Sequence, residues 1–167
     1  MSENPTGTEL EQLSLCLDTQ REALLRKAED LTIEQLAQPH PPSTLTLAGL
    51  LNHGALVEDW WFRVQYAGLP HDALWADVDF DEDPEWEFRT AVDVEADELR
   101  RRYRDACERS RGVVASADGL DSTGAAAFSN GNRFNLRWVL LHMIEETARH
   151  AGHADLIRES IDGATGE

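Results

Sequence analysis

The chain has 167 residues, enough for one domain with a buried core and too few for two. Its 41% hydrophobic and 28% charged residues fit a globular protein. A formal charge of −17 repels phosphate backbones and anionic lipid surfaces, so neither nucleic acid nor membrane is expected as a partner.

No apolar run approaches the roughly 20 residues that span a bilayer. The start, Met1-Ser2-Glu3-Asn4-Pro5, has neither the basic region nor the apolar core of a signal peptide. Cys16 and Cys107 are too few and too distant for a disulfide framework or a cysteine zinc site. A cytoplasmic setting is the expectation, with both thiols free and buried in helices.

Four long helices are predicted. The first runs from about Thr8, a capping residue, to Asp30, with Leu10, Leu13, Leu17, Leu24 and Leu31 recurring at helical spacing. A short turn follows at Thr32–Leu36, and Pro39, Pro41 and Pro42 break regular structure. The second helix starts near Ser43 to Thr46 and runs to about Tyr66. Its broad apolar face includes Leu47, Leu50, Leu51, His53, Val57, Trp60 and Trp61.

Residues 71–93 form a long acidic connection with Trp75, Phe80, Trp86 and Phe88 interleaved among carboxylates. Such alternation can mark a disordered interaction segment. An ordered loop or short helix that packs its aromatics over the domain is preferred, because it joins two strong helices. The third helix runs from about Glu95 to Ala115, with Leu99, Tyr103, Cys107 and Val114 on one face. Ser116–Arg133 reads as a polar stretch in which Asp118-Gly119 and Asn130-Gly131 form turns. The fourth helix begins at the cap Asn135 and runs to about Asp162, before Gly163. With no convincing strand, the expectation is a single all-α domain over 1–167. It is a four-helix bundle with a long connection between its second and third helices.

Three of the six histidines lie within Leu141–Asp155. At about 100° per residue, His142, Glu146, His150 and His153 fall near 0°, 40°, 80° and 20° and share one helix face. His53 shares a stripe with Leu50, Val57 and Trp60, so its ring points inward and needs a hydrogen-bond partner or a metal. Carboxylate–imidazole pairs one turn apart are how bundle cores build metal sites. Spacing alone leaves three pairs open: Glu146/His150, His150/His153 and His142/Glu146. The alternative is a solvated polar face with one buried polar network.

Leu47–Phe62 followed by His142–Glu159 resembles the DinB-like superfamily. The nearest likeness is to its actinobacterial branch of small proteins related to the N-terminal domain of mycothiol-dependent maleylpyruvate isomerase. The likeness runs from Leu10 to Gly163. It implies a four-helix bundle holding a divalent metal between one histidine of the second helix and two ligands of the fourth. Carried onto this chain, the ligands are His53, Glu146 and His150. His153 stands where many members have glutamine and is left outside the ligand set. The implied metal is zinc first, with nickel, iron or manganese open to the same donors. The maleylpyruvate isomerase adds a C-terminal domain that supplies active-site residues, so the likeness does not extend to that isomerisation.

The expected activity is a metal-dependent thiol S-transfer with a low-molecular-weight, mycothiol-like thiol as cosubstrate. Trp60 and Trp61 are expected to bound the electrophile's cavity, and a homodimer is implied by the likeness. The rival readings are a metal-dependent hydrolase, a non-catalytic metal or small-molecule binding protein, and an interaction module working through Trp75–Phe88.

Overall fold

In the computed structural model, which describes residues 6–165, side-chain caps set the starts of four of the helices. Helix α1 spans Glu9–Lys27. The Thr8 side chain accepts from the Glu11 backbone N–H, and the Glu11 carboxylate accepts from the Thr8 N–H. It stops three residues short of the expected Asp30, which adopts φ 60° beyond the end. Thr32 and Gln35 form a second such box on the single-turn helix α2, Ile33–Leu36.

Helix α3, Leu47–Glu58, is capped by Thr46, whose hydroxyl accepts from the Gly49 N–H. The helix continues to Tyr66 as expected, but over Asp59–Tyr66 it widens into π-helix. The Ala67 N–H accordingly bonds to the Phe62 carbonyl, five residues back. Asp59 at this junction is buried and accepts from His71 Nδ1 at 2.8 Å and from the Asp72 N–H.

The acidic connection is ordered. It carries helix α4, Trp86–Ala91, and its aromatics turn inward. Trp75 is buried with Trp86 edge-on against it, and Phe80, Trp86 and Phe88 pack on the core. Trp75 is the one fully buried ring of the four; Phe80, Trp86 and Phe88 stay partly exposed. Helix α5 spans Ala96–Ser116.

The expectation of no strand is corrected. Strands β1, Thr123–Ala127, and β2, Arg133–Asn135, pair antiparallel around a turn containing Gly131 at φ 83°. The run Thr-Gly-Ala-Ala-Ala has little intrinsic strand preference; the hairpin is fixed by packing instead. A Cβ on Gly124 would lie 3.2 Å from the Phe134 ring and from the Tyr66 backbone, so a larger residue would push the hairpin off the π-helical segment by a few tenths of an ångström. Helix α6, Leu136–Asp162, starts at Asn135, whose side chain accepts from the Trp138 N–H, and ends at Gly163 with φ 76°.

Helices α1 and α6 pack together, as do α3 and α5, and α3 also contacts α6. The result is an all-α bundle with one small hairpin attached. Its core is in two apolar clusters. One gathers Leu24, Leu50, Leu51, Trp75, Leu99, Tyr103 and Ile157; the other gathers Leu17, Phe62, Phe134, Val139, Leu140 and Met143. Between the clusters the helices bury polar groups: Arg21 on α1, Glu58 on α3, Ser110 on α5 and Thr147 on α6. Arg21 forks onto Glu58 with Nε to Oε1 at 2.7 Å and Nη2 to Oε2 at 2.5 Å, its guanidinium 5.6 Å from the Phe62 ring centre.

The thiols divide. Cys107 is buried as expected, whereas Cys16 is exposed because it precedes the inward-facing Leu17 on α1. No helix among the described residues is long and apolar enough to cross a membrane.

Candidate metal centre

Helix α3 brings His53 to α6 at the height where Glu146 and His150 lie one turn apart. One ligand atom from each of the three side chains lies within 4.8 Å of the other two. His150 Nε2 is 3.0 Å from Glu146 Oε1, and His53 Nε2 is 3.4 Å from the same oxygen. The His53 and His150 rings meet edge to face at 5.0 Å between centres. Side-chain exposures of 17% for His53, 20% for Glu146 and 15% for His150 leave the cluster sheltered but open on one side.

An ionised carboxylate only accepts, so without a metal both Nε2 atoms must carry protons toward Glu146. Burial pulls the His53 imidazolium down, but Glu146 and Glu87 on either side of it outweigh burial and hold its pKa up at about 9. His150 first, then His53, holds the Glu146 carboxyl well below the usual carboxylate range.

The donor set suits a divalent cation. Two imidazole nitrogens and one carboxylate oxygen already converge, which is the ligand chemistry of catalytic zinc sites with a position left for solvent or substrate. Binding through Nε2 requires each imidazole to present that nitrogen without its proton, which for His53 leaves the Nδ1 proton on Glu87 in place. Among the described residues, His150 Nδ1 and His153 Nδ1 are buried without a hydrogen-bond partner, with the two rings 5.7 Å apart. His153 lies outside the group whose ligand atoms converge.

Two side chains that the sequence reading did not place at the site complete the surroundings of His53. Its Nδ1 donates to Glu87 Oε1 at 3.0 Å, and Phe88 stacks on its ring at 4.7 Å. Both come from α4. In the sequence Glu87 is one carboxylate in a long acidic run; only its flanking Trp86 and Phe88 hint that it faces inward.

The two predicted tryptophans go different ways. Trp61 lies 4.5 Å from His142, one turn before Glu146 on α6. Trp138 stacks on His142 at 5.1 Å and also meets Trp61 at 5.3 Å, and Phe134 and Phe128 extend the aromatic wall. Trp60 instead stacks on His71 at 5.3 Å and is 40% exposed. Neither cysteine belongs to the metal-capable group. Burial first, then the nearby Glu58, pushes the Cys107 thiol far above its ordinary pKa.

A crystal structure described as that of a conserved protein of locus from Enterococcus faecalis is similar in fold. It matches with a TM-score of 0.67 at 15% identity, over 95% of this chain and 100% of that one. No curated protein matches the chain. The family model described as Mycothiol-S-transferase matches residues 12–163, nearly the whole of it. The chain therefore belongs to the mycothiol-S-transferase family, a DinB-like family.

Proposed function

We propose that the protein is a metal-dependent thiol S-transferase in which His53, Glu146 and His150 hold a divalent cation, zinc first. A low-molecular-weight thiol of the mycothiol kind is its cosubstrate. The observation that carries the reading is the convergence of three partly buried ligand atoms within 4.8 Å, in a chain of a thiol-transferase family. When bound, the cation supplies acidity to a thiol in its open position, raising the thiolate fraction at neutral pH.

The chain's own residues do the rest. The two imidazoles give neutral nitrogen donors, and Glu146 offsets one positive charge. The attacking sulfur comes from the cosubstrate, because the chain's one buried thiol, Cys107, is held protonated. The thiolate sulfur forms a bond to an electrophilic carbon, whose leaving group departs with the electron pair or, in an addition, whose neighbouring atom takes up a proton. Trp61, with His142 and Trp138, forms the apolar wall against which the electrophile packs. Trp60, stacked on His71, has no part in this wall. A homodimer formed through bundle helices and a cytoplasmic setting belong to the same reading and are supported by the family likeness alone.

The test pairs metal analysis with turnover. Protein purified without chelating resin is expected to carry about one divalent ion per chain and to conjugate a model electrophile only when thiol is supplied. His53→Ala is expected to lose both ion and conjugation. Ester or amide turnover without thiol would replace the transferase with a hydrolase, and equal conjugation by His53→Ala would leave a binding protein.

A further inference from the structure

Helix α4 is held to α3 through Gly49, Asn52 and His53, the last of them a proposed metal ligand. Asn52 Nδ2 donates to the Glu87 carbonyl at 2.9 Å, with Asn52 fully buried. Glu87 Oε1 accepts from His53 Nδ1 at 3.0 Å, and Phe88 covers the ring face of His53. The backbones come close enough that a Cβ on Gly49 would stand 2.9 Å from Phe88 Cδ1. The Glu87 side chain is 5% exposed, and its second oxygen, Oε2, is buried without a partner.

A buried carboxylate with half its acceptor capacity unused is costly to keep. A residue needed only to fill space here would be apolar. What Glu87 does make is one charge-assisted bond, to the nitrogen of His53 that points away from the ligand cluster. That bond requires Nδ1 to carry the proton and so leaves Nε2 as the nitrogen free to bind. The stacked Phe88 ring stops the imidazole from turning away. His150 has no counterpart, since its own Nδ1 is unpartnered.

We propose that Glu87 is the positioning residue for His53: from the acidic connection, it fixes the tautomer and ring direction that aim Nε2 at the cation. The proposal rests on the metal-site reading above and adds that the connection between α3 and α5 is part of the site. A carboxylate behind a ligating histidine raises the basicity of that ligand, and removing such a partner typically weakens metal binding about 10–100-fold.

The experiment measures zinc and cobalt affinity by competition with a chromophoric chelator for wild type, Glu87→Gln, Glu87→Met and His53→Ala. Nitrogen-15 NMR of His53 in the zinc-loaded wild type is recorded beside it. Glu87→Met keeps the volume and removes the acceptor; it is expected to weaken binding about 10–100-fold. Glu87→Gln keeps an acceptor oxygen and is expected to lose less. The NMR spectrum is expected to place the proton on Nδ1 and the metal on Nε2. Ligation through Nδ1 overturns the proposal without any variant, should Glu87→Met fail to fold. Wild-type affinity in folded Glu87→Met, with a lowered melting midpoint alone, reduces Glu87 to a structural anchor and also overturns it. If wild type takes up the ion, His53→Ala does not and Glu87→Met does, only the role of Glu87 falls. A wild type that binds no ion removes the metal site and this inference together.

Discussion

Two imidazoles directed at one carboxylate oxygen make the cluster a proton site as well as a candidate cation site, and the two occupants compete. With His53 titrating at about 9 in the metal-free protein, a cation must displace a proton at neutral pH. Apparent affinity is therefore expected to rise about tenfold per pH unit below that value and to level off above it, as isothermal titration across pH 6–10 would show. Metal-free stability carries a different signature. The raised pKa of His53 gives stability that is complete below the ordinary histidine value of 6.5 and is lost as pH climbs through about 9. The depressed pKa of Glu146 gives stability present above the ordinary 4.5 and lost as pH falls below it. Melting midpoints of the metal-free protein should peak between those two ordinary values, and saturating zinc should shift the best pH upward. Glu146→Gln removes the shared negative charge. It should move the His53 titration back toward 6.5, read from imidazole proton shifts, and should weaken metal binding.

At the level of elements, the tightest junction is between α3 and α4. Gly49→Ala gains about 1 kcal/mol of helix propensity but drives a methyl group into Phe88, an overpacking that costs about 1–3 kcal/mol. The expected net effect is a loss of stability in urea titration and weaker metal binding, since α4 carries the partner of His53. The helix ends were legible because caps are local: Thr8, Thr46, Asn135 and Gly163 each act within three or four residues. The pair Glu146/His150 was legible for the same reason, as one turn of helix sets its spacing, although equal spacings left rival pairs standing. His53, 93 positions away from Glu146, was legible as an inward, metal-capable histidine on another helix, and the family likeness joined it to this pair. Three features rest on partners beyond one helical turn. At the start of the π-helical stretch Asp59 meets His71 and Asp72. The hairpin depends on Gly124 meeting Tyr66 and Phe134. Glu87 depends on Asn52 and Gly49 drawing α4 inward.

For the molecule as a whole, the decisive feature is the ion pair between the two apolar clusters. Arg21 and Glu58 are 5% and 1% exposed, and their fork has no room for water between the partners. Arg21→Ala strands the carboxylate and should cost about 3–5 kcal/mol. Arg21→Met with Glu58→Leu removes both charges and should melt at the same temperature as wild type or higher. That same double variant should nonetheless hold its ion less tightly and show broadened or doubled α6 resonances by NMR. A core that is alkyl from end to end tolerates axial slippage, because one helix displaced by a turn, about 5.4 Å, still sets leucine against leucine. A charged pair admits a single longitudinal alignment of α1 against α3. Since α6 rides on α1, that alignment also decides how far along the barrel Glu146 and His150 stand from His53. On the proposed site, the buried charges are expected to act as an alignment pin for the imidazoles, with their worth read in the sharpness of coordination rather than in the heat of melting.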